Sequence, residues 1–234
     1  MILNLLILAL SPLLLIQGLY VKRTTIRLPE ATGARQGESG QGDTLKILIL
    51  GDSAAAGVGT ASQQDALSGH IASRLSLKFR LTWQLWAGTG RTSRRCLAVL
   101  EQQPSEPFDA VLISLGVNDV TSILSRREWL TLQTRLADQL MEKFKARHVI
   151  FTPLPPMHHF PALPQPLRCV LGLRAKQFNR GLKAMVEKRP GCHLLVFDLP
   201  MQAEFIAADG FHPSATTYAL WAEQAAELIR QQAA

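Results

Sequence analysis

Cysteine is scarce: Cys96, Cys169 and Cys192 are the only three in 234 residues. An odd count with no Cys-x-x-Cys pair offers neither a disulfide framework nor a zinc site. The thiols read as small buried or half-buried side chains, and they fit a reducing compartment better than an oxidising one. Acidic residues are outnumbered, with 18 Asp and Glu against 25 Lys and Arg, for a net charge of +7. The basic residues are scattered, no basic run alternates with aromatics, and no nucleic-acid-binding motif occurs, which excludes nucleic acid as a partner. A surface of this kind suits an anionic membrane or plain solvent. Phosphate-binding glycine patterns are missing as well. Gly57-Val58-Gly59 lacks the third glycine of a dinucleotide fingerprint, and no lysine follows for a phosphate loop. Ala55 stands where a Gly-x-Ser-x-Gly nucleophile elbow needs glycine. His158 and His159 have no carboxylate beside them and read as solvent-facing. Neither a metal nor a cofactor is expected.

Long apolar runs are confined to the N-terminus. Met1 to Val21 is almost wholly apolar and long enough to cross a bilayer, and a membrane tolerates the kink that Pro12 introduces. No Lys or Arg precedes Lys22, and no Ala-x-Ala cleavage site lies between Gln17 and Val21. An uncleaved membrane anchor is therefore favoured over a signal peptide; a helix packed on the domain or lying at an interface is the other reading. Lys22, Arg23 and Arg27 all follow the span, which by the positive-inside rule faces the domain toward the cytoplasm. Residues 31–43, rich in Gly, Gln and Glu, read as a flexible linker. The chain then divides into an anchor (1–21), a linker (22–43) and one domain (44–234), long enough for a full-sized core.

Within that domain, short runs rich in Ile, Val, Leu and Phe cover Leu45–Leu50, Leu81–Ala87, Ala110–Leu115, Val149–Leu154 and Leu194–Leu199. They suit strands buried on both faces. Helical patterns alternate with them over Gln64–Leu77, Thr92–Glu101, Arg127–Phe144, Leu171–Lys188 and Ser214–Gln231. Strand–helix alternation predicts an α/β fold, a three-layer αβα sandwich around a five-stranded parallel sheet.

Four phrases fall at run ends or helix entrances: Gly51-Asp52-Ser53, Gly88-Thr89-Gly90-Arg91-Thr92-Ser93, Gly116-Val117-Asn118-Asp119 and Asp209-Gly210-Phe211-His212-Pro213. In an open parallel sheet, that is the carboxyl edge, where ligands bind. Serine becomes a nucleophile when a base takes its proton, and histidine oriented by a carboxylate is the usual base. Ser53, His212 and Asp209 supply those three groups. Glycine backbone and an asparagine amide add donors for a developing oxyanion. The segment 152–167 carries six prolines and several large apolar residues. It is predicted to form a stiff apolar wall beside the site.

These phrases make the chain resemble the SGNH, or GDSL-type, hydrolases, bacterial lipases and esterases among them. Ser53, Gly90, Asn118 and His212 stand for the four letters, in the family's order and spacing, and the resemblance spans roughly residues 45 to 231. Ala54 replaces the leucine common in the first block. Gly90 is aligned because Gly90-Arg91-Thr92-Ser93 is similar to the Gly-Asp-Thr-Ser of thioesterase I-like members; Gly88 is the alternative. The resemblance implies the αβα fold and a serine ester hydrolase working through an acyl-enzyme on Ser53. It assigns His212 as base, Asp209 as its orienter, and the Ser53 and Gly90 N–H groups with Asn118 as oxyanion hole. The partner would be a small-molecule ester or acyl substrate. An acyltransferase or O-acetyl esterase on a glycan or lipid, or a non-catalytic membrane-tethered binding protein, would share the scaffold. Many relatives are exported, which pulls against a cytoplasmic domain. Asp52 and Asp119 read as loop-bonding structural carboxylates.

Overall fold

The apolar runs become adjacent strands of one sheet. The computed structural model describes residues 2–196 and 202–233. β1 is Gln36–Ser39, β2 Asp43–Gly51, β3 Phe79–Ala87, β4 Ala110–Ser114, β5 His148–Phe151 and β6 Cys192–Leu194. They order as β1-β3-β2-β4-β5-β6, parallel throughout except for β1 against β3. Chain order reverses around β2, so a topological switch point opens between the carboxyl ends of β2 and β4.

The helices are α1 (Ile2–Thr24), α2 (Leu67–Leu75), α3 (Ser93–Gln102), α4 (Val117–Val120), α5 (Arg126–Lys143), α6 (Leu167–Val186) and α7 (Ala215–Ala233). Alternate residues of the buried strands feed two cores. Leu48, Leu50, Val111, Ile113, Val149 and Phe151 pack with α3, α5 and α6 on one face. Leu45, Ile47, Ile49, Leu112 and Ile150 pack with α2 and α7 on the other. The three-layer αβα sandwich is as expected. The three cysteines are free, Cys96 and Cys192 buried and Cys169 exposed.

Among the described residues the sheet has six strands rather than five. The sixth, β1, lies in the segment read as a flexible linker. Gln36 to Ser39 pairs antiparallel with Gln84 to Leu81 on the outer edge of β3. An edge strand presents unpaired N–H and C=O groups that any extended chain can meet, so the polar segment adds without an apolar pattern. Smaller differences have local causes. A 3-10 turn at Gln63–Asp65 precedes α2, separated from it by extended Ala66, which delays the helix. β5 stops before Pro153, as proline has no N–H for the ladder. Of the strand expected over Leu194–Leu199, Leu194 ends β6, and residues 197–199 lie outside the described residues.

The N-terminal anchor is corrected. Among the described residues, no helix is long and apolar enough to cross a membrane; Met1 lies outside them. Ser11, Pro12 and Gln17 interrupt the apolar run, and Lys22 and Arg23 occupy the last turn of α1. One side of the helix is taken up by the domain. Leu14 and Val21 pack against the core, while Gln17 donates to Gln165 O at 2.6 Å and accepts from Leu167 N at 3.0 Å, tying α1 to the start of α6. With the span goes the assignment of a cytoplasmic face, which rested on charges flanking a membrane crossing.

Candidate active site

Ser53 leaves the end of β2 two residues after Gly51. Asp52 N–H donates to Ser114 O at 3.1 Å, and the Asp52 carboxylate accepts from Ala54 N at 3.1 Å, closing a tight turn that presents the serine side chain. His212 comes from the segment before α7. Ile206 bridges Pro213, Ala207 N–H donates to His212 O at 2.8 Å, and Thr217 Oγ1 donates to Phe205 O at 2.5 Å, so the turn carrying the histidine is clasped at its base. Within it Asp209 Oδ1 accepts from the N–H groups of Phe211 and His212, each at 3.0 Å. Gly210 sits at φ 73°, and a Cβ there would lie 2.9 Å from the Ala162 Cβ. The position therefore demands glycine twice over, for its conformation and for close approach to the proline-rich loop.

The sequence-distant groups meet. His212 Nε2 lies 2.8 Å from Ser53 Oγ, and His212 Nδ1 lies 2.5 Å from Asp209 Oδ2. Asp209 is 6% exposed. Burial works to raise its pKa, but the His212 side chain and the two N–H groups outweigh that and hold the carboxyl below its ordinary value. An ionised carboxylate against Nδ1 favours the tautomer with hydrogen on Nδ1 and a lone pair on Nε2 facing Ser53.

Ser53, Gly90, Asn118 and His212 line one cavity of about 350 Å³ at the switch point. Asn118, in α4, donates Nδ2–H to Arg91 O at 3.0 Å, which fixes the amide plane; the NH2 group carries a second hydrogen. Gly90 follows β3 at φ 73° and lies on the cavity wall. Gly88 does not line it, and the Gly88 N–H donates to Gly51 O at 3.3 Å. Between the alternatives left by the sequence, Gly90 is the glycine at the cavity.

Asp52 and Asp119 are both buried. Burial pushes the Asp52 carboxyl up to about 7, with the negative field of Asp119 adding to the rise. Burial likewise raises Asp119, which accepts from Ser93 Oγ at 2.6 Å and Ser93 N at 3.1 Å, joining the second and third blocks. The Asp52 carboxyl thus bonds within the turn that carries Ser53, and that of Asp119 bonds to the first residue of α3.

The cavity is mainly apolar. Thr152, Pro153, Leu154, Pro155 and Phe160 of the proline-rich segment form one side, and Phe205, Ile206 and Phe211 come from the segment before α7. Phe160 meets Phe211 edge to face at 5.8 Å. The sequence pointed to the first group by its prolines. It carried no signal for Phe205 and Ile206, which stand outside any block.

A sequence model of the GDSL-like lipase/acylhydrolase family matches residues 49–220, from the end of β2 into α7. The GDSL-like esterase Rv1075c of Mycobacterium tuberculosis is 29% identical over 192 residues, covering 76% of this chain; the chain spans 60% of that relative's length. A lipolytic protein of the G-D-S-L family from Veillonella parvula superposes with a TM-score of 0.65 at 16% identity, over 80% of this chain and 99% of the other. The psychrotrophic esterase EstA from Pseudoalteromonas sp. gives 0.60 at 22% identity, over 80% and 97%. At these identities the two structures are alike in fold.

Proposed function

Because the chain belongs to the GDSL-like lipase/acylhydrolase family, we propose that it is a serine ester hydrolase working through an acyl-enzyme on Ser53. The observation that carries this reading is the unbroken chain Ser53 Oγ to His212 Nε2 at 2.8 Å and His212 Nδ1 to Asp209 at 2.5 Å, opening onto an apolar cavity. His212 Nε2 takes the Ser53 proton as Oγ bonds to the acyl carbon. The carbonyl oxygen becomes an oxyanion facing the Ser53 and Gly90 N–H groups and the second amide hydrogen of Asn118. Such donors act where charge develops in the transition state. The tetrahedral adduct collapses, the bond to the alcohol oxygen breaks, and the proton on His212 passes to that oxygen. Water then enters, gives its proton to His212, and releases the acid from Ser53 by the same steps. Asp209 stabilises the imidazolium in both halves.

The walls favour an apolar acyl chain or an aromatic ester, because Leu154, Phe160, Phe205, Ile206 and Phe211 gain from burying hydrocarbon. The test is hydrolysis of p-nitrophenyl esters of graded chain length by the full chain. Wild type should turn over the medium or longer apolar esters, and folded Ser53→Ala should lose activity by about 10⁴- to 10⁶-fold. Retention of more than a tenth of the activity by Ser53→Ala would overturn the reading.

A further inference from the structure

The segment before β1 reaches the candidate oxyanion loop. Glu30 Oε1 accepts from Thr89 N at 2.6 Å and from Thr89 Oγ1 at 2.8 Å. Glu30 Oε2 accepts from Arg35 Nη1 at 2.9 Å, and Arg35 Nη2 donates to Ala87 O at 2.5 Å. The backbone carbonyl of Arg35 takes the Leu85 N–H at 2.7 Å, where the segment runs into β1 on the edge of β3. A single carboxylate thus holds both the N–H and the hydroxyl of the residue immediately before Gly90. The same segment grips the loop beyond Ser53: buried Gln63 donates Nε2–H to Ala31 O at 3.2 Å and to Ala56 O at 2.9 Å.

We propose that Glu30 is a positioning residue, which sets the Gly90 N–H toward the oxyanion by fixing Thr89 from outside the cavity. Glu30 does not line the cavity, whereas Thr89 and Gly90 do. Gly90 lies between two engaged neighbours: Thr89 N–H is held by Glu30, and Arg91 N–H donates to Gly88 O at 3.2 Å. Glycine adds no side chain to stiffen this turn, so its peptide plane is set by what holds the residues around it. Partial burial works against the charge on Glu30, but the Thr89 hydroxyl and N–H and the Arg35 guanidinium outweigh it and keep the carboxyl below its ordinary range. The group is ionised at neutral pH, and charged acceptors make the shorter, stronger hydrogen bonds.

The inference rests on the esterase reading, and the experiment separates the two. In the full chain, kcat and KM are measured for wild type, Glu30→Ala, Glu30→Gln and Glu38→Ala. Glu38 is an exposed neighbour on β1 that serves as the control. Misplacing a donor by about 1 Å can cost up to 10²-fold in rate. Glu30→Ala should therefore lower kcat by about 10- to 100-fold with KM within about twofold, since an oxyanion donor acts in the transition state. Glu30→Gln, whose amide oxygen still accepts from Thr89, should recover part of the loss and keeps the test open if the alanine variant folds poorly. Glu38→Ala should match wild type. Wild-type kcat in folded Glu30→Ala, or a loss confined to KM, overturns the positioning role while leaving the esterase reading intact. An inactive wild type overturns both.

Discussion

Asn179 holds Leu154 by both of its backbone groups: Leu154 N–H donates to Asn179 Oδ1 and Asn179 Nδ2 donates to Leu154 O, each at 2.8 Å. The asparagine stands on α6, and Leu154 lies near the start of the proline-rich wall, just beyond β5. Pro153 and Pro155 flank the contact and lack N–H groups of their own, so the one N–H at this corner is the one the asparagine takes. A loop with so few backbone donors is steadied from a neighbouring helix.

Asn179→Ala should unsettle that wall. Leaving the Leu154 groups unpaired should cost about 1–3 kcal/mol of stability. The dependence of KM on acyl chain length should flatten. Thermal unfolding and the p-nitrophenyl ester series read the two effects. An unchanged chain-length profile in a destabilised variant would confine Asn179 to stability.

Asp209→Asn is expected to keep the fold and lower kcat by up to about 10⁴-fold. The amide oxygen can still accept from Phe211 and His212 N–H, the bonds that shape the turn. The amide nitrogen, however, turns N–H toward Nδ1 and favours the ring tautomer that leaves no lone pair for Ser53. Single-turnover kinetics beside a circular dichroism spectrum would check this. A loss below tenfold would mean that His212 is oriented without Asp209.

Stability should fall as pH rises through the titration of Asp52. Burial raises the folded-state value from an ordinary 3.8 to about 7, while His212 pulls it down and Asp119 pushes it up. The folded protein therefore binds the proton over a window in which the unfolded chain has released it, and proton release then favours unfolding. The neutral acid contributes its full stability below 3.8, and the contribution is lost as pH climbs to about 7. Asp52→Asn keeps the acceptor for Ala54 N–H and cannot ionise. Its urea midpoint should gain on wild type across that window and level off above it. Parallel midpoint curves would show Asp52 to be ionised in the folded state.

Much of the architecture is written locally. The parallel strands β2 to β5 lie within or close to the apolar runs, because a strand buried on both faces needs hydrocarbon at nearly every position. The alternating helices follow the 3.6-residue period, and the αβα sandwich follows from that alternation. The four short phrases were legible for a related reason: each is a run of adjacent residues, three of them after a strand and the fourth at the entrance of α7, and such positions fall at the carboxyl edge of an open parallel sheet. The meeting of Ser53 with His212, 159 residues away, could be anticipated because both phrases belong to that edge.

Tertiary structure decided the rest. Gln36–Ser39 joins the sheet through backbone groups alone, so no side-chain pattern announced β1. The run from Met1 to Val21 has the composition of a membrane span, yet Leu14 and Val21 of α1 pack against the core and Gln17 bonds to Gln165 and Leu167 at the start of α6. Its fate was set by a complementary surface contributed by residues some 150 positions later. Gly88 and Gly90 are equivalent as letters, and only the sheet bond that engages Gly88 puts Gly90 at the cavity. Glu30 and Asn179 are single polar side chains acting across 59 and 25 residues of chain. A hydrogen bond of that reach leaves no periodicity in the sequence, because its geometry exists only once the sheet and helices have brought its two ends together.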